Sequence, residues 1–208
     1  MNHTDQIKDR LVAVARELFA RRGYDRVSVR EITARAHANL GAITYHFGSK
    51  EALYHAAIAS IAEPLVAAIG AATQGPAPAL ERIEAILRAF LGHLGDNPHV
   101  PSILLRELAS DHPLPPPMAD AMRKNLGNIV NTVVQGQREG TIRAGDPVLL
   151  ALSVIAQFFF FRVAGRAIQT ASGIDRNDPA FRASLTSHVV DTVRRGLAAD
   201  APRTAESQ

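Results

Sequence analysis

The side chains best suited to chemistry lie between residues 28 and 50, and they suit contact with a polyanion. Thr44, Tyr45 and His46 stand side by side in a predicted short helix. Hydroxyl and ring N–H groups bind phosphate oxygens and base edges. This set of side chains therefore predicts a surface for DNA.

Positive charge is concentrated in the same part of the chain. Residues 1–56 hold nine Lys and Arg against six Asp and Glu, and this excess of three equals the net charge of +3 of the whole chain. A polyanion would therefore bind in the first quarter of the sequence. An excess of this size is also common on solvated surfaces, so charge alone does not decide the function.

The sequence lacks the residues and motifs that common catalytic and metal sites require. The chain has no cysteine, which excludes disulfides, thiolate nucleophiles and Cys-ligated zinc. No GxSxG, HExxH, phosphate-binding loop or dinucleotide fingerprint occurs, and His93, His99 and His112 lack metal-site spacing. We predict a protein that is not an enzyme and uses no metal or cofactor. An enzyme remains one alternative, and a helical membrane-surface or protein-interaction module remains the other.

The sequence also indicates where the protein works. Its N-terminus alternates charged and apolar residues, unlike a signal peptide. The longest apolar run, Pro147–Phe161, is shorter than a membrane span and contains Ser153 and Gln157. With no cysteine present, these features predict a cytoplasmic protein without a membrane partner.

The elements that position the DNA-suited residues are predicted to be helices. Helix 1 follows Thr4 as N-cap and ends near Gly23, and the capping box at Ser28–Glu31 starts helix 2. A short third helix ends at Phe47, and Ser49 caps a long fourth helix. Two short helices after a packing helix form a helix-turn-helix, whose second helix enters the major groove. We expect that helix to bury Ile43 and Phe47 and to expose Ala42, Thr44, Tyr45 and His46.

The rest of the chain is predicted to be helical as well, because Gly and Pro interrupt apolar patterns of helical period. Further helices are expected at about 79–94, 101–110, 117–138, 147–168 and 178–198, and the third of these is expected to bury Met122. The fold class is therefore all-α, with about nine helices: a three-helix helix-turn-helix domain followed by a larger helical bundle.

Residues 28–54, SVREITARAHANLGAITYHFGSKEALY, resemble the signature of TetR-family transcriptional regulators. The resemblance implies a homodimeric repressor that a small-molecule effector releases from operator DNA. Its DNA-binding domain would be 1–50, its effector-binding and dimerisation domain 51–199, and 200–208 a disordered tail. The residues implied to contact DNA are Ser28, Arg30, Asn39, Leu40, Gly41, Thr44, Tyr45, His46 and Lys50.

The sequence departs from the family pattern in three places. His37 replaces a turn glycine, Ala38 a valine and Thr44 one of two adjacent aromatic residues. His tolerates a left-handed backbone, so the turn is expected to survive, whereas Thr44 leaves the operator sequence open. Alternatives also remain for single residues: Tyr45 packed on helix 1, His46 partly buried, and Arg30 and Lys50 as ordinary solvated charges.

The last two predicted helices carry apolar surface that one copy of the chain can hardly cover. They predict an isologous four-helix dimer interface, and a central helix buried within a monomer is the alternative. The candidate interface residues are Phe158, Phe161, Phe181, Leu185, Val189 and Val193.

Four polar residues are candidates for the effector pocket. Ser153 and Gln157 share one face of the apolar helix, His93 borders the apolar face of helix 5, and Arg106 lies in the short sixth helix. Each has a purely structural alternative, such as a bond to backbone or across the dimer. The apolar body predicts a largely apolar effector.

Overall fold

The computed structural model describes residues 3–97, 100–163, 165–175 and 178–199, with the backbone alone at 3, 158–163 and 165–166. These ranges form helices and no β-strand beyond one isolated bridge between Ile142 and Ala198. The all-α prediction is confirmed. In order, the helices are α1 (His3–Arg22), α2 (Val29–Arg35), α3 (Ala42–Phe47), α4 (Lys50–Thr73), α5 (Ala79–Asp96), α6 (Val100–Leu108), α7 (Pro116–Arg138), α8 (Pro147–Val163), α9 (Gly165–Ser172) and α10 (Pro179–Leu197).

The helix expected over 147–168 corresponds to two described stretches, α8 up to Val163 and α9 from Gly165, and residue 164 between them lies outside the described residues. The tail predicted at 200–208 lies outside the described residues.

The chain divides into two compact units. The first comprises Met1–Val66 and Leu94–Met122, and the second comprises Ala67–His93 and Arg123–Gln208. In the first unit α1 packs against both α2 and α6, so α6 belongs with the helix-turn-helix although it lies far away in sequence. The functional boundary expected after residue 50 stays a prediction.

The core of the first unit forms around one face of α1. Leu11, Ala15 and Leu18 recur at helical spacing on that face and are buried. They pack in one cluster with apolar side chains of α2, α3 and α4, among them Ile32, Ile43, Leu53 and Ile58. The recognition segment is therefore supported by a packed base.

Helix starts in this unit follow the predicted capping in part. The Ser28 hydroxyl accepts a hydrogen bond from the Glu31 amide at 3.1 Å, and the Ser49 hydroxyl accepts one from the Ala52 amide at 3.0 Å. The Glu31 carboxylate pairs with Arg22 and not with the Ser28 amide, so only half of the predicted capping box forms. Thr4 lies inside α1 and does not cap it.

In the second unit a close approach of backbone to side chains occurs at Gly136 of α7. A Cβ atom placed there would lie 2.5 Å from Cδ1 of Ile142 and 2.9 Å from Cβ of Ala79. Arg143 donates its amide to the Leu197 carbonyl at 2.9 Å, so the segment after α7 is tied to the end of α10. Met122, expected to be buried by this helix, is 42% exposed, although its spacing places it on the same helix face as the buried Ile129 and Val133.

By length and composition alone, α4 qualifies as a membrane span, and 28% of its most apolar window is buried. It is a longer candidate than the apolar run identified from the sequence in α8. One such helix is weak evidence, because a core helix passes the same test. Its buried residues form a single stripe typical of a helix packed on one side: Leu53, Ala57, Ile58, Ile61, Leu65 and Ile69.

Candidate nucleic-acid interface

The turn between α2 and α3 has the geometry that a helix-turn-helix requires. His37 has a positive φ of 50°, a left-handed conformation that is rare for residues other than glycine but more frequent for His, Asn and Asp. Its Ala38 neighbour donates an amide hydrogen bond to the Thr33 carbonyl at 2.9 Å, which closes the end of α2. The expectation that His replaces glycine here without loss of the turn is confirmed.

α3 presents one face to solvent and the other to the core. Ile43 is 1% exposed whereas Tyr45 is 79% exposed, so the alternative in which Tyr45 packs on α1 is wrong. Exposure extends along the preceding turn, and the predicted DNA-contacting residues Asn39, Leu40, Gly41 and Thr44 are all exposed.

Two residues of α3 depart from the predicted orientation. Ala42 was expected to face outward and is buried, because it joins the core cluster beside Ile43. His46 is half-buried, as its alternative allowed, and its ring meets the Tyr45 ring nearly edge-on at a centroid distance of 4.9 Å. Tyr45 therefore has a neighbour that limits the directions in which its ring can point.

The cationic residues near α3 differ in how far they are already neutralised. Glu17 pairs with Arg21 at 3.3 Å and with Arg35 at 3.8 Å, and Glu31 pairs with Arg22. Exposed Arg30 has no ion pair within the described part of the chain. Since its charge is not offset by such a carboxylate, Arg30 is better placed than the paired Arg21, Arg22 and Arg35 to attract a phosphate or a base edge.

Lys50, predicted to hold a phosphate, has a partner of its own. Its ammonium nitrogen lies 4.1 Å from the centroid of the Tyr24 ring, a cation–π arrangement. Tyr24 in turn lies 5.0 Å from Tyr54 and 5.8 Å from Phe19, centroid to centroid. Lys50 is half-buried beside an aromatic ring, and no carboxylate of the described residues forms a salt bridge with its ammonium.

The aromatic cluster is joined to α6 by a hydrogen bond that sequence analysis did not identify. The Tyr54 hydroxyl donates to the Glu107 carboxylate at 2.5 Å. Burial and then this hydrogen bond raise the pKa of Tyr54 well above its usual value of 10.0, so the hydroxyl stays protonated at neutral pH. No local pattern could predict the contact, because 53 residues separate the partners.

The four predicted effector-pocket residues are divided between the two units. Arg106 belongs to the first unit, where its guanidinium donates to the Arg21 carbonyl at 3.2 Å and lies beside Gly23. It therefore fixes the end of α1. His93, Ser153 and Gln157 belong to the second unit. The Ser153 hydroxyl is exposed and donates to the Leu149 carbonyl at 2.9 Å, as its structural alternative predicted.

The predicted dimer residues also separate into groups. Within one protomer Val189 is fully buried and Val193 is 6% exposed, and α10 packs against α8 there. These two residues therefore offer a partner copy little or no surface. Phe181 and Leu185 are half-buried, and the side chains of Phe158 and Phe161 lie outside the described residues. Among the described side chains of α8, the exposed large apolar ones are those of Val148, Leu149 and Leu152, and none of these was a candidate interface residue.

Comparisons with known sequences match both halves of the chain. Residues 11–57 match bacterial regulatory proteins of the tetR family, and residues 80–193 match the tetracyclin repressor-like C-terminal domain. The HTH-type transcriptional dual regulator CecR of Shigella flexneri is 46% identical over 59 residues, which cover 28% of this chain and 26% of that protein. The chain thus matches about a quarter of the length of this curated relative.

Solved structures extend the similarity to the whole fold. A regulatory protein of the tetR family from Rhodococcus RHA1 has a TM-score of 0.75 at 22% identity, with 97% of this chain and 100% of that one covered. The ketosteroid transcriptional regulator KstR2 of Mycobacterium tuberculosis has a TM-score of 0.71 at 21% identity, with 93% and 95% covered. The helix-turn-helix, the shared fold and the two family matches lead to one conclusion: this chain belongs to the tetR family of bacterial transcriptional regulators.

Proposed function

We propose that the protein is a homodimeric repressor that acts in the cytoplasm. It binds operator DNA through α3 and its flanking residues, and a small, largely apolar effector bound in the helical body releases it. The observation that carries the DNA-binding part is the exposed face of α3, where Tyr45 stands 79% exposed on a packed base. Leu40 in the preceding turn is 52% exposed as well, so this face of the unit is open to a partner.

The proposed docking assigns different tasks to different residues. Thr44 and Tyr45 contact base edges and phosphates in the major groove, together with the exposed residues of the preceding turn. Arg30 reads a base edge, and Ser28 and Lys50 hold phosphates at the starts of α2 and α4, where free amides also favour an anion. His46 contributes through its position against the Tyr45 ring.

A gel-shift titration with the DNA upstream of the protein's own gene tests this assignment. We expect a sequence-specific band at moderate salt, and we expect it to be lost in Tyr45→Ala and weakened by roughly 1–3 kcal/mol in Arg30→Ala. Arg88→Ala is the matched control, since it removes an exposed positive charge from α5 in the other unit. Equal binding by Arg30→Ala and Arg88→Ala would refute the role of Arg30.

The proposed dimer rests on apolar surface that α8 leaves uncovered in one protomer. Leu149 is 63% exposed, and Val148 and Leu152 are 44% and 45% exposed. Two copies of this face, together with Phe181 and Leu185 of α10, would form an isologous interface. A dimer places two copies of α3 on half-sites about one helical turn of DNA apart, which is the geometry of palindromic operators.

The proposed effector response is supported by the composition of the body. Large apolar side chains are fully buried in the second unit, among them Ile69, Ile83, Ile86, Leu87 and Ile129. One structural relative is named for ketosteroids, which are largely apolar compounds. If an effector releases DNA, operator must weaken effector binding by the same factor by which effector weakens DNA binding. Equal affinity for the effector with and without operator would rule out this coupling.

Repression itself needs a transcription assay, because the curated relative is described as a dual regulator. A reporter gene placed behind the operator should be expressed less when the protein is present. Tyr45→Ala should restore expression to the level without protein. Activation by the wild-type protein, lost in the same variant, would reverse the direction of control but retain the DNA-binding assignment.

A further inference from the structure

A polar cleft of about 350 Å³ lies in the second unit where the end of α4 meets α5 and α7. None of the four predicted effector-pocket residues lines it. Its lining includes Thr73, Arg82, Asn128, Asn131, Thr132 and Gln135. The volume is at the lower end of the range for small-molecule sites, about 300–1,000 Å³. Unlike most such sites, this cleft is lined chiefly by amide, hydroxyl and guanidinium groups, so an apolar effector would not fit its chemistry.

Arg82 forms the fixed part of the cleft. It is only 7% exposed, and its guanidinium donates to the Thr73 carbonyl at 3.1 Å and to the Glu139 carboxylate at 3.4 Å. Its third type of donor, the buried Nε–H group, has no hydrogen-bond partner in the described part of the chain. A buried donor without an acceptor is costly. The Arg82 side chain therefore has one donor that no described residue satisfies.

The charge of the cleft is balanced. Glu139 receives hydrogen bonds from both Arg82 and the Ala79 amide, the latter at 3.0 Å, so its carboxylate is held beside the guanidinium. An anion would be attracted by Arg82 and repelled by Glu139, whereas a cation would be attracted by Glu139 and repelled by Arg82. The local charges thus favour an uncharged ligand.

The amide groups of α7 supply the adaptable part of the cleft. Asn128, Asn131 and Gln135 are three and four residues apart, so they share one face of the helix. The amide side chains of these three residues form no hydrogen bond with another described residue. The Thr132 hydroxyl donates to the Asn128 carbonyl at 2.8 Å and keeps its lone pairs for a donor. Amides both donate and accept, as the hydroxyl groups of a ligand do.

We propose that this cleft binds a small, uncharged, polyhydroxylated molecule of the size of a polyol or monosaccharide. Ligand hydroxyls exchange hydrogen bonds with the amides of Asn128, Asn131 and Gln135, and a ligand oxygen lies towards Arg82. The site is separate from the DNA-binding surface, and this inference does not depend on the proposed repressor function.

Calorimetric titration of the full chain with glycerol, xylitol, D-ribose and D-glucose tests the proposal. At least one of these probes should bind at millimolar concentrations. The double variant Asn131→Ala/Gln135→Ala should weaken that binding about tenfold, because two hydrogen bonds are lost. Both side chains are exposed on a helix, so alanine preserves folding. Gln169→Ala, an exposed amide on α9, is the matched control and should bind as the wild type does.

Three results would overturn the proposal: no binding by any of the four probes, equal weakening by the double variant and by Gln169→Ala, or preferential binding of inorganic phosphate that the double variant weakens. Operator binding by the double variant, measured without any probe, should equal that of the wild type. This last measurement distinguishes a failure of the proposed ligand site from a failure of the proposed DNA-binding function.

Discussion

Ser28 shows how one hydroxyl group can serve both the folding of the helix-turn-helix and its proposed contact with DNA. As N-cap of α2, its hydroxyl accepts a hydrogen bond from the Glu31 amide at 3.1 Å. Aspartate caps a helix about as well as serine, and it adds a negative charge that the helix N-terminus tolerates and a DNA phosphate repels. The two tasks of Ser28 can therefore be separated by substitution.

Ser28→Ala should lower the free energy of unfolding by about 1 kcal/mol, because the capping bond is lost. Ser28→Asp should retain the wild-type stability but weaken operator binding. Urea unfolding and DNA titration of both variants measure the two effects. Wild-type DNA affinity in Ser28→Asp would show that this residue lies away from phosphate.

Lys50 combines a cation–π contact with a proposed phosphate contact, and its removal should affect two measurements. Lys50→Ala should reduce the salt dependence of DNA binding by about 0.9 in the log–log slope, because one phosphate contact is lost. It should also cost about 0.5–1 kcal/mol of stability. Tyr24→Leu is the control: it removes the ring at 4.1 Å from the ammonium, so it should lower stability and leave the salt slope intact. An unchanged slope in Lys50→Ala would make Lys50 a structural residue only.

At the scale of the helix, two glycines of α7 should respond to alanine with opposite signs. A Cβ atom at Gly136 would meet Ile142 and Ala79 at less than 3 Å, whereas a Cβ atom at Gly127 would meet nothing within 4 Å. Gly136→Ala should destabilise the protein by about 1–3 kcal/mol through overpacking. Gly127→Ala should stabilise it by up to about 1 kcal/mol through helix propensity.

Thermal unfolding measures this pair directly, since 1 kcal/mol corresponds to roughly 2–4 °C in a chain of this size. Ile142 is buried, so Ile142→Ala alone should also destabilise the protein, but the double variant should lose less than the sum of the two single losses, because the nearest clashing atoms are removed. Stabilisation by Gly136→Ala alone would contradict the close packing between α7 and the segment that follows it.

The helices themselves could be predicted well from local patterns, because capping residues, glycines and apolar spacing act within a few residues. Ser28 and Ser49 are examples, and both caps are confirmed. Local patterns fail where one residue can take either of two environments. Ala42 was expected outside and is buried, since a methyl group at the margin of a helical face fits either side at little cost.

At the scale of the whole molecule, the proposed dimer can be tested at α8. Val189 is buried within the protomer, so a substitution there would disturb folding, and an exposed residue is the better choice. Leu149→Asp changes a side chain that is 63% exposed in the protomer, so the protomer should fold and remain monomeric, with loss of tight operator binding. Ala85→Asp, an exposed position on α5, is the control and should stay dimeric. Light scattering after gel filtration measures the mass. A dimer of unchanged mass in Leu149→Asp would exclude this face of α8 from the interface.

Contacts between residues far apart in sequence were not predictable in the same way as caps. Arg106 was a candidate for the effector pocket, yet it binds the carbonyl of Arg21, which is 85 residues away. Val189 and Val193 continue an apolar pattern that is equally consistent with a partner copy and with the same protomer, and their burial within the protomer favours the latter. Periodicity identifies which face is apolar but not what covers it.

The apolar character of α4 also matters while the chain is being made. Before any helix packs, its 24 residues leave the ribosome as a segment with the length and composition of a membrane span. Glu63 falls near the middle of this segment and is followed by Pro64. A charged side chain at such a position costs roughly 2.5–3.5 kcal/mol on insertion scales. Glu63 therefore disfavours insertion of the nascent segment into a membrane during the time before the helices of the folded protein can pack around it.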